Sequence, residues 1–390
     1  MSYLKTRIKD FLNWRNPVMD IQKHLDEAAG WILRAQKATP DDGVAHSYDF
    51  KEDKWLASYP ETTGYIIETL YKYANRFEKP EYAEAARKMA LWESQEQFDE
   101  GGVRAGKMDA DTVVPTIFNT GQVLFGWAAA IENEKENAVF IDSITKASDW
   151  LVDAMDEDGA WRKFASPFGG VGKESSYNTR VAYGLVRAFE VTANRRYLEA
   201  AEKNVDYVLS ISHENGFLPH NCLSTPESPL IHTIAYSIRG IYEVGLKAVR
   251  SDFIDLAERM AAAVAIAQSE DGSIPGTLNK NWQPDSKWSC LTGNSQMAIN
   301  WLRMALASGN DKFVDNAINS NLFNMSTQVL DGDNANIKGA IKGSMPITGG
   351  YMTNRFPNWA TKFFMDALMF EIEWREKKQE KPQEKNGDNS

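Results

Sequence analysis

Six glycine turns at nearly even spacing constrain this chain more than any other feature. PDDG (40–43), DEGG (99–102), DEDG (156–159), HENG (213–216), SEDG (269–272) and LDGD (330–333) each follow a helical run. Their glycines, Gly43, Gly102, Gly159, Gly216, Gly272 and Gly332, recur at intervals of 56 to 60 residues. An acidic or amide residue and then Gly after a helical run predicts a C-terminal helix stop. Self-similarity at a fixed period marks a repeat architecture. A second marker keeps step with the first: ETTGY, FNTGQ, YNTRV, IHTIA, CLTGN and WATKF, centred on Thr63, Thr120, Thr179, Thr233, Thr292 and Thr361. Each threonine stands near the start of an apolar run of helical period.

Two helices' worth of residues separate each threonine from the next turn. Segments such as EYAEAARKMALWESQEQ and RRYLEAAEKNVDYVLSIS are rich in Ala, Glu, Leu and Lys with amphipathic spacing, as helices with one solvated face are. The threonine-led runs carry fewer charges and predict more buried helices. Counting from residue 20 gives six outer and six inner helices in alternation, without clear strand alternation. Six units with a matched beginning and end predict a closed ring rather than an open solenoid: an all-α (α/α)6 barrel, or toroid, as one domain over residues 20–374. Residues 375–390, charged and almost without apolar side chains, read as a disordered tail.

Composition sets the outer bounds. With 43% hydrophobic and 11% aromatic residues, a sizeable core is available. A net charge of −11 argues against a nucleic-acid partner, which needs a basic surface. Two cysteines, Cys222 and Cys290, give no disulfide framework and suit a reducing compartment. No apolar run has membrane-spanning length, and the N-terminus has no signal-peptide apolar segment, so the expected location is the cytoplasm. Within residues 1–19, Leu4, Ile8, Phe11 and Leu12 share one helical face with Lys5, Lys9 and Arg15 around it. Such a segment either meets an anionic membrane through residues 1–16 or packs on the domain or an oligomer partner.

Six helical hairpins with Gly turns resemble the (α/α)6 toroid superfamily, which holds squalene and terpene cyclases, protein prenyltransferase β-subunits and many carbohydrate lyases, hydrolases and epimerases. EDGAW and EDGSI resemble turn motifs of the cyclase branch. YPETTGY and FPNWATKFFMDAL resemble segments of bacterial proteins associated with surface-polysaccharide biosynthesis. The resemblance implies a carbohydrate substrate, although a shared toroid does not fix chemistry.

In a closed ring of hairpins the starts of the inner helices rim one mouth. The polar residues there are Glu61, Asn119, Gln122, Tyr177, Asn178, Arg180, His232, Asn294, Gln296, Asn358 and Lys362. Six helix N-termini also present positive dipole ends to this mouth. His232, Tyr236 and Arg239 share one helix face at i, i+4 and i+7, and Tyr177 and Arg180 stand at i and i+3 on the preceding inner helix. Arginines suit a carboxylate, and Tyr or His can move a proton, which together predict abstraction of H5 from a uronate followed by elimination or epimerisation. Glu61 paired with Glu174, Asp109 or Asp111 would instead predict a two-carboxylate hydrolase. A glycan-binding protein without catalysis is the remaining reading. Trp55, Trp161, Trp282, Trp288, Tyr351 and Trp359 are candidates for stacking on sugar rings. DADT (109–112) lacks one acid of the cyclase DxDDT motif. Asp285 and Cys290, or His220 and Cys222, lack the spacing and number of a zinc site, so no metal and no other cofactor is expected.

Overall fold

The structure, a computed structural model, describes residues 2–168, 174–223, 226–332 and 334–384. The chain alternates between two layers. The outer helices are α2 (Ile21–Lys37), α4 (Pro80–Glu96), α6 (Ala138–Asp153), α8 (Arg195–Ile211), α10 (Ser251–Ala267) and α12 (Val314–Thr327). The inner helices are α3 (Pro60–Phe77), α5 (Ile117–Asn133), α7 (Thr179–Thr192), α9 (Ile231–Ala248), α11 (Leu291–Ser308) and α13 (Asn358–Glu384). Each inner helix packs on the next, and α13 returns to α3. The ring is closed, and the architecture is the (α/α)6 barrel that the repeat predicts.

Layer follows composition. Helix α5, IFNTGQVLFGWAAAIEN, holds no charge before Glu132 and is buried almost all round. Helix α8, RRYLEAAEKNVDYVLSI, buries Tyr197, Leu198, Ala201, Val205 and Val208 on one stripe and leaves its charges outside. Glycine lets inner helices meet backbone to backbone. A Cβ on Gly240 of α9 would lie 2.2 Å from the carbonyl oxygen of Thr179 on α7.

Three of the repeated threonines clasp the chain around the ring. Thr63 Oγ1 accepts the backbone N–H of Val44, Thr120 that of Val103, and Thr361 that of Ile341, each N–H lying on the strand of chain that leaves a turn. The turns themselves correct one expectation. Their glycines are not helix C-caps. They sit beyond the helix ends in tight loops, where the N–H of Asp156 donates to Ala160 O and that of Gly159 to Asp156 O, a pattern repeated at 98–102, 213–217 and 269–273. Gly159 holds φ 92° there, and a Cβ would strike Lys203 O of the next outer helix at 2.3 Å. By the same contact the equivalent residues in two other units are Gly101 and Gly339, rather than Gly102 and Gly332.

Short strands occur in the loops at the inner-helix starts. β1 (Ser47–Asp49) pairs antiparallel with β2 (Lys54–Trp55) and with β5 (Arg355–Pro357), and β3 (Ser289–Cys290) pairs with β4 (Ser344–Met345). An additional helix, α1 (Tyr3–Phe11), docks on the chain between β4 and β5. Helix α13 continues through Glu384, so residues 375–384 are helical where the sequence reads as disordered tail. Arg375 pairs with Glu371 and Lys378 with Asp311, which favours helix continuation. Residues 385–390 lie outside the described part.

Candidate functional site

A cavity of about 460 Å³ opens at the N-terminal end of the inner helices. Five of the six inner-helix starts supply its wall: Tyr59, Glu61 and Tyr65 at α3, Phe118 and Asn119 at α5, Tyr177 before α7, His232 and Tyr236 at α9, and Trp359 at α13. Loops add His46, Lys107, Phe168, Tyr351 and Met352. The sixth start acts from behind, where Gln296 Oε1 of α11 lies 2.8 Å from His232 Nδ1. That acceptor keeps the ring proton on Nδ1 and leaves Nε2 with its lone pair.

Glu61 is the carboxylate in this wall. Pro60 opens α3 and places Glu61 in its first turn, where the dipole favours the anion. Burial outweighs that effect and raises the Glu61 carboxyl from 4.5 to about 7, against a hydrogen bond donated by the Tyr59 hydroxyl. A rise of that size is worth about 3 kcal/mol, against roughly 0.3–1 for an exposed helix dipole. The groups around it are held neutral. Burial lowers His232 to about 4, with Arg180 adding to the effect and the Gln296 bond opposing it. Burial lowers His46 to about 3, helped by Arg355 and Lys107. Tyr59, Tyr65, Tyr177, Tyr236 and Tyr351 are all raised, first by burial and further by the charge of Glu61.

The aromatic side chains lock one another in place. The His232 ring lies 4.6 Å from that of Tyr236 and 5.4 Å from that of Tyr351, and Phe118 stands edge-on to Tyr177 at 5.1 Å. Trp359 Nε1 donates to the Tyr351 hydroxyl at 3.0 Å. His46 packs against both the Tyr59 and Trp359 rings, at 5.2 and 4.8 Å. The result is an apolar, π-rich chamber with one group that exchanges a proton near neutrality, a combination suited to sugar rings and to acid–base chemistry.

No family model and no curated protein matches the chain. Among solved structures it is similar to an unsaturated glucuronyl hydrolase specific for heparin, with a TM-score of 0.73 at 16% identity over 91% of this chain and 98% of that one. It is also similar to a D-mannose isomerase, with a TM-score of 0.70 at 12% identity over 90% and 97%. A cellobiose 2-epimerase from Bacillus thermoamylovorans B4167 aligns with a TM-score of 0.69 at 10% identity over 90% and 98%. The shared feature is the (α/α)6 toroid fold. Likeness at these identities is one of fold, and the site must speak for the chemistry.

Within the toroid, the sequence-derived site divides into two levels. Glu61, Asn119, Tyr177, His232 and Tyr236 come together in the mouth cavity. Arg180 and Arg239 do not line it, which corrects the expectation of an arginine clamp. Arg180 lies below the floor, its guanidinium 4.0 Å from the Phe125 ring and 5.7 Å from that of Tyr236, with Gln122 Oε1 at 3.4 Å from its Nε. Arg239 lies deeper still and pairs with Glu243 at 2.8 Å, a carboxylate that also holds Arg303. Lys362, likewise below the floor, pairs with Asp366 at 2.6 Å.

Other candidates prove to be architectural. Asn294 Oδ1 accepts the N–H of Ile274 and so clasps a turn. Asn358 Nδ2 donates to Ala45 O and Thr62 Oγ1. Asn178 ends the 3₁₀ turn (Ser176–Asn178) that leads into α7. Trp288 fills the space left by Gly276, Gly349 and Gly350 and does not reach the cavity. Trp55, Trp161 and Trp282 bond to Asn336, Leu151 and Asn215, while Tyr351 and Trp359 line the chamber. The carboxylate partners proposed for Glu61 are elsewhere. Glu174 pairs with Arg162 at 2.6 Å and His220 at 3.3 Å, Asp109 is exposed and pairs with Lys107, and Asp111 is exposed. Sequence reasoning passed over His46, Tyr59, Tyr65 and Phe118. Tyr59 and Tyr65 flank Glu61 within YPETTGY and were open to the same argument. Among the described residues, no three His, Cys, Asp or Glu side chains gather as metal ligands.

Proposed function

We propose that this protein is a carbohydrate-active enzyme that binds an acidic, uronate-containing glycan in the mouth cavity and moves a proton at its sugar ring through Glu61. One observation carries the proposal: among the described lining residues a single carboxyl, raised to about 7, stands in a chamber of neutral aromatic groups. A base near neutrality is half ionised at working pH and well matched to proton transfer. His232 at about 4 and the tyrosines, all raised, are poorer bases but good neutral hydrogen-bond partners. Glu61 therefore takes the lead that spacing alone gave to Tyr177, His232 and Tyr236.

In the preferred reaction the Glu61 carboxylate takes H5, and the electron pair passes into the uronate carboxyl group. A tyrosine hydroxyl, Tyr177 or Tyr236, then returns a proton to the opposite face of C5, or protonates the departing O4 substituent as the C4–O4 bond breaks. The helix N-termini provide positive potential for the substrate carboxylate and the tyrosine hydroxyls donate hydrogen bonds to it, with Lys107, paired with Asp109, also in the cavity wall. Hydrolysis of an unsaturated uronide is a second reading, favoured by the likeness to a glucuronyl hydrolase and by the presence of one carboxylate where ordinary glycoside hydrolysis uses two. The double bond of such a sugar is an enol ether, which one carboxylic acid can protonate.

A panel of uronate polymers and unsaturated uronides, followed by ultraviolet absorbance and by deuterium uptake at C5, separates these outcomes. Absorbance rises for elimination and falls for hydrolysis of the unsaturated sugar, and deuterium enters without an absorbance change for epimerisation. Glu61→Gln should lower the observed activity by at least about a hundredfold. Full activity in Glu61→Gln would remove Glu61 from the reaction. Binding without turnover, measured by calorimetry, would make the cavity a glycan-binding site instead.

A further inference from the structure

Helix α1 is mounted inside out. Its polar side chains Thr6 and Asp10 are buried, whereas Leu4, Ile8, Phe11, Leu12 and, just beyond the helix, Trp14 are 51–88% exposed. An amphipathic helix on a globular domain ordinarily does the reverse. Polar contacts hold it there. Asp10 accepts Lys342 Nζ at 2.6 Å and the N–H of Ile347 at 2.8 Å, and the Tyr3 hydroxyl donates to Asn354 at 3.0 Å.

The charges that residues 1–19 themselves expose have one sign. Asp10 is the acid among residues 1–19, and it is turned inward against Lys342. Lys5 and Arg7 are exposed and Lys9 partly so, while Arg15 turns back toward Asp271 and the Phe323 ring. The outward face therefore joins a cluster of large apolar side chains to three cations, in a protein whose net charge is −11.

We propose that α1 and the residues through Trp14 form a docking surface for an anionic lipid bilayer. Charge complementarity identifies the occupant. Lys5, Arg7 and Lys9 match anionic headgroups, while Leu4, Ile8, Phe11, Leu12 and Trp14 enter the headgroup–acyl boundary, as in helices that lie in the interfacial plane. A second copy of this chain would bring like charges together across the contact, which disfavours self-association. The segment on which α1 rests, from Lys342 to Asn354, also supplies Tyr351 and Met352 to the mouth cavity, so the docked protein would hold that mouth beside the membrane. The inference rests on α1 alone and does not depend on the reaction proposed for Glu61.

Co-sedimentation of the full chain with phosphatidylcholine vesicles, with and without phosphatidylserine, tests it. Binding should require phosphatidylserine and weaken as salt is raised. The triple variant Lys5→Glu, Arg7→Glu, Lys9→Glu should bind about a hundredfold more weakly, at about 1 kcal/mol per lost cation. Phe11→Ser with Trp14→Ser should also lose binding. Melting curves unchanged from the parent would show that these exposed substitutions leave the fold intact. The proposal is overturned if phosphatidylserine vesicles fail to retain the protein at low salt, if the triple variant binds as the parent does, or if plain phosphatidylcholine binds equally. A dimer that dissociates in Phe11→Ser, without vesicle binding, would assign the face to a second copy instead.

Discussion

Glu61 is expensive to keep charged, and the cost has a pH signature. Its folded-state value of about 7 lies above the ordinary 4.5, so between those limits the folded protein holds a proton that the unfolded chain has released. Stability from this group is therefore full below about pH 4.5, falls as pH rises, and reaches its minimum above pH 7. Glu61→Gln keeps the acceptor for Tyr59 and removes the charge. It should raise unfolding free energy at pH 8 by about 2–3 kcal/mol over the parent and leave it nearly unchanged at pH 4.5. Urea unfolding of both proteins at the two pH values checks this, and an equal difference at both would place the ionisation elsewhere. Glu93, buried in α4 without a hydrogen-bond partner and raised well above its ordinary value, adds a cost of the same sign to both proteins, so the comparison isolates Glu61. At this scale the sequence was informative about face and poor about depth. His232, Tyr236 and Arg239 do share a helix face, but each residue advances about 1.5 Å along the axis, so Arg239 stands about 10 Å below His232. His46 had no marker at all, since it reaches the cavity from a loop outside the helical period.

Helix starts and turns were the most legible elements, although their chemistry was not. The threonines recur because a hydroxyl there can clasp the chain leaving a turn. Thr63→Val and Thr120→Val should each leave a buried N–H, of Val44 and Val103 respectively, without its acceptor and cost about 1–3 kcal/mol. Among the described residues Thr292 Oγ1 accepts no N–H from its turn, which is held by Asn294 instead. Thr292→Val should cost less than about 0.5 kcal/mol or be stabilising. Chemical denaturation of the three variants distinguishes the clasp from a mere preference for threonine at helix starts, which would make the three losses equal. The glycine ladder slipped by one residue at Gly101 because DEGG offers two glycines, and the positive φ of Gly101 with its contact to Lys146 of α6 tells which one the fold requires. At the last unit the marker sat seven residues early, in a longer loop where Gly332 and Gly339 both take positive φ. The strands at the mouth span two or three residues each, too few for an alternating pattern to register.

Closure of the ring was argued from the number and evenness of the units, and its seam lies between α3 and α13. There Asp366 accepts from Thr69 across the seam at 2.8 Å and from Lys362 at 2.6 Å. Lys362 is almost wholly buried, and burial lowers its pKa despite Asp366. Asp366→Ala should therefore destabilise the whole molecule by about 3–5 kcal/mol, and Lys362→Met in the same chain should recover much of that loss. A single urea transition shifted by Asp366→Ala and restored in the double variant is the expected result. A double variant as unstable as the single one would show that the loss comes from something other than the stranded cation.

The seam also has a temporal side. β1 must find β5, and α2 and α3 must find α13, across nearly the full length of the chain. The entropic cost of so large a loop grows only logarithmically with its length, so equilibrium tolerates it. Synthesis is less forgiving. As the ribosome extends the chain, each hairpin has its predecessor to rest on, while the flanks of α2 and α3 that await α13 remain bare until the last inner helix emerges. For that interval the nascent chain is an open arc with a sticky end, and a neighbouring nascent chain offers the same flank that its own α13 will later cover.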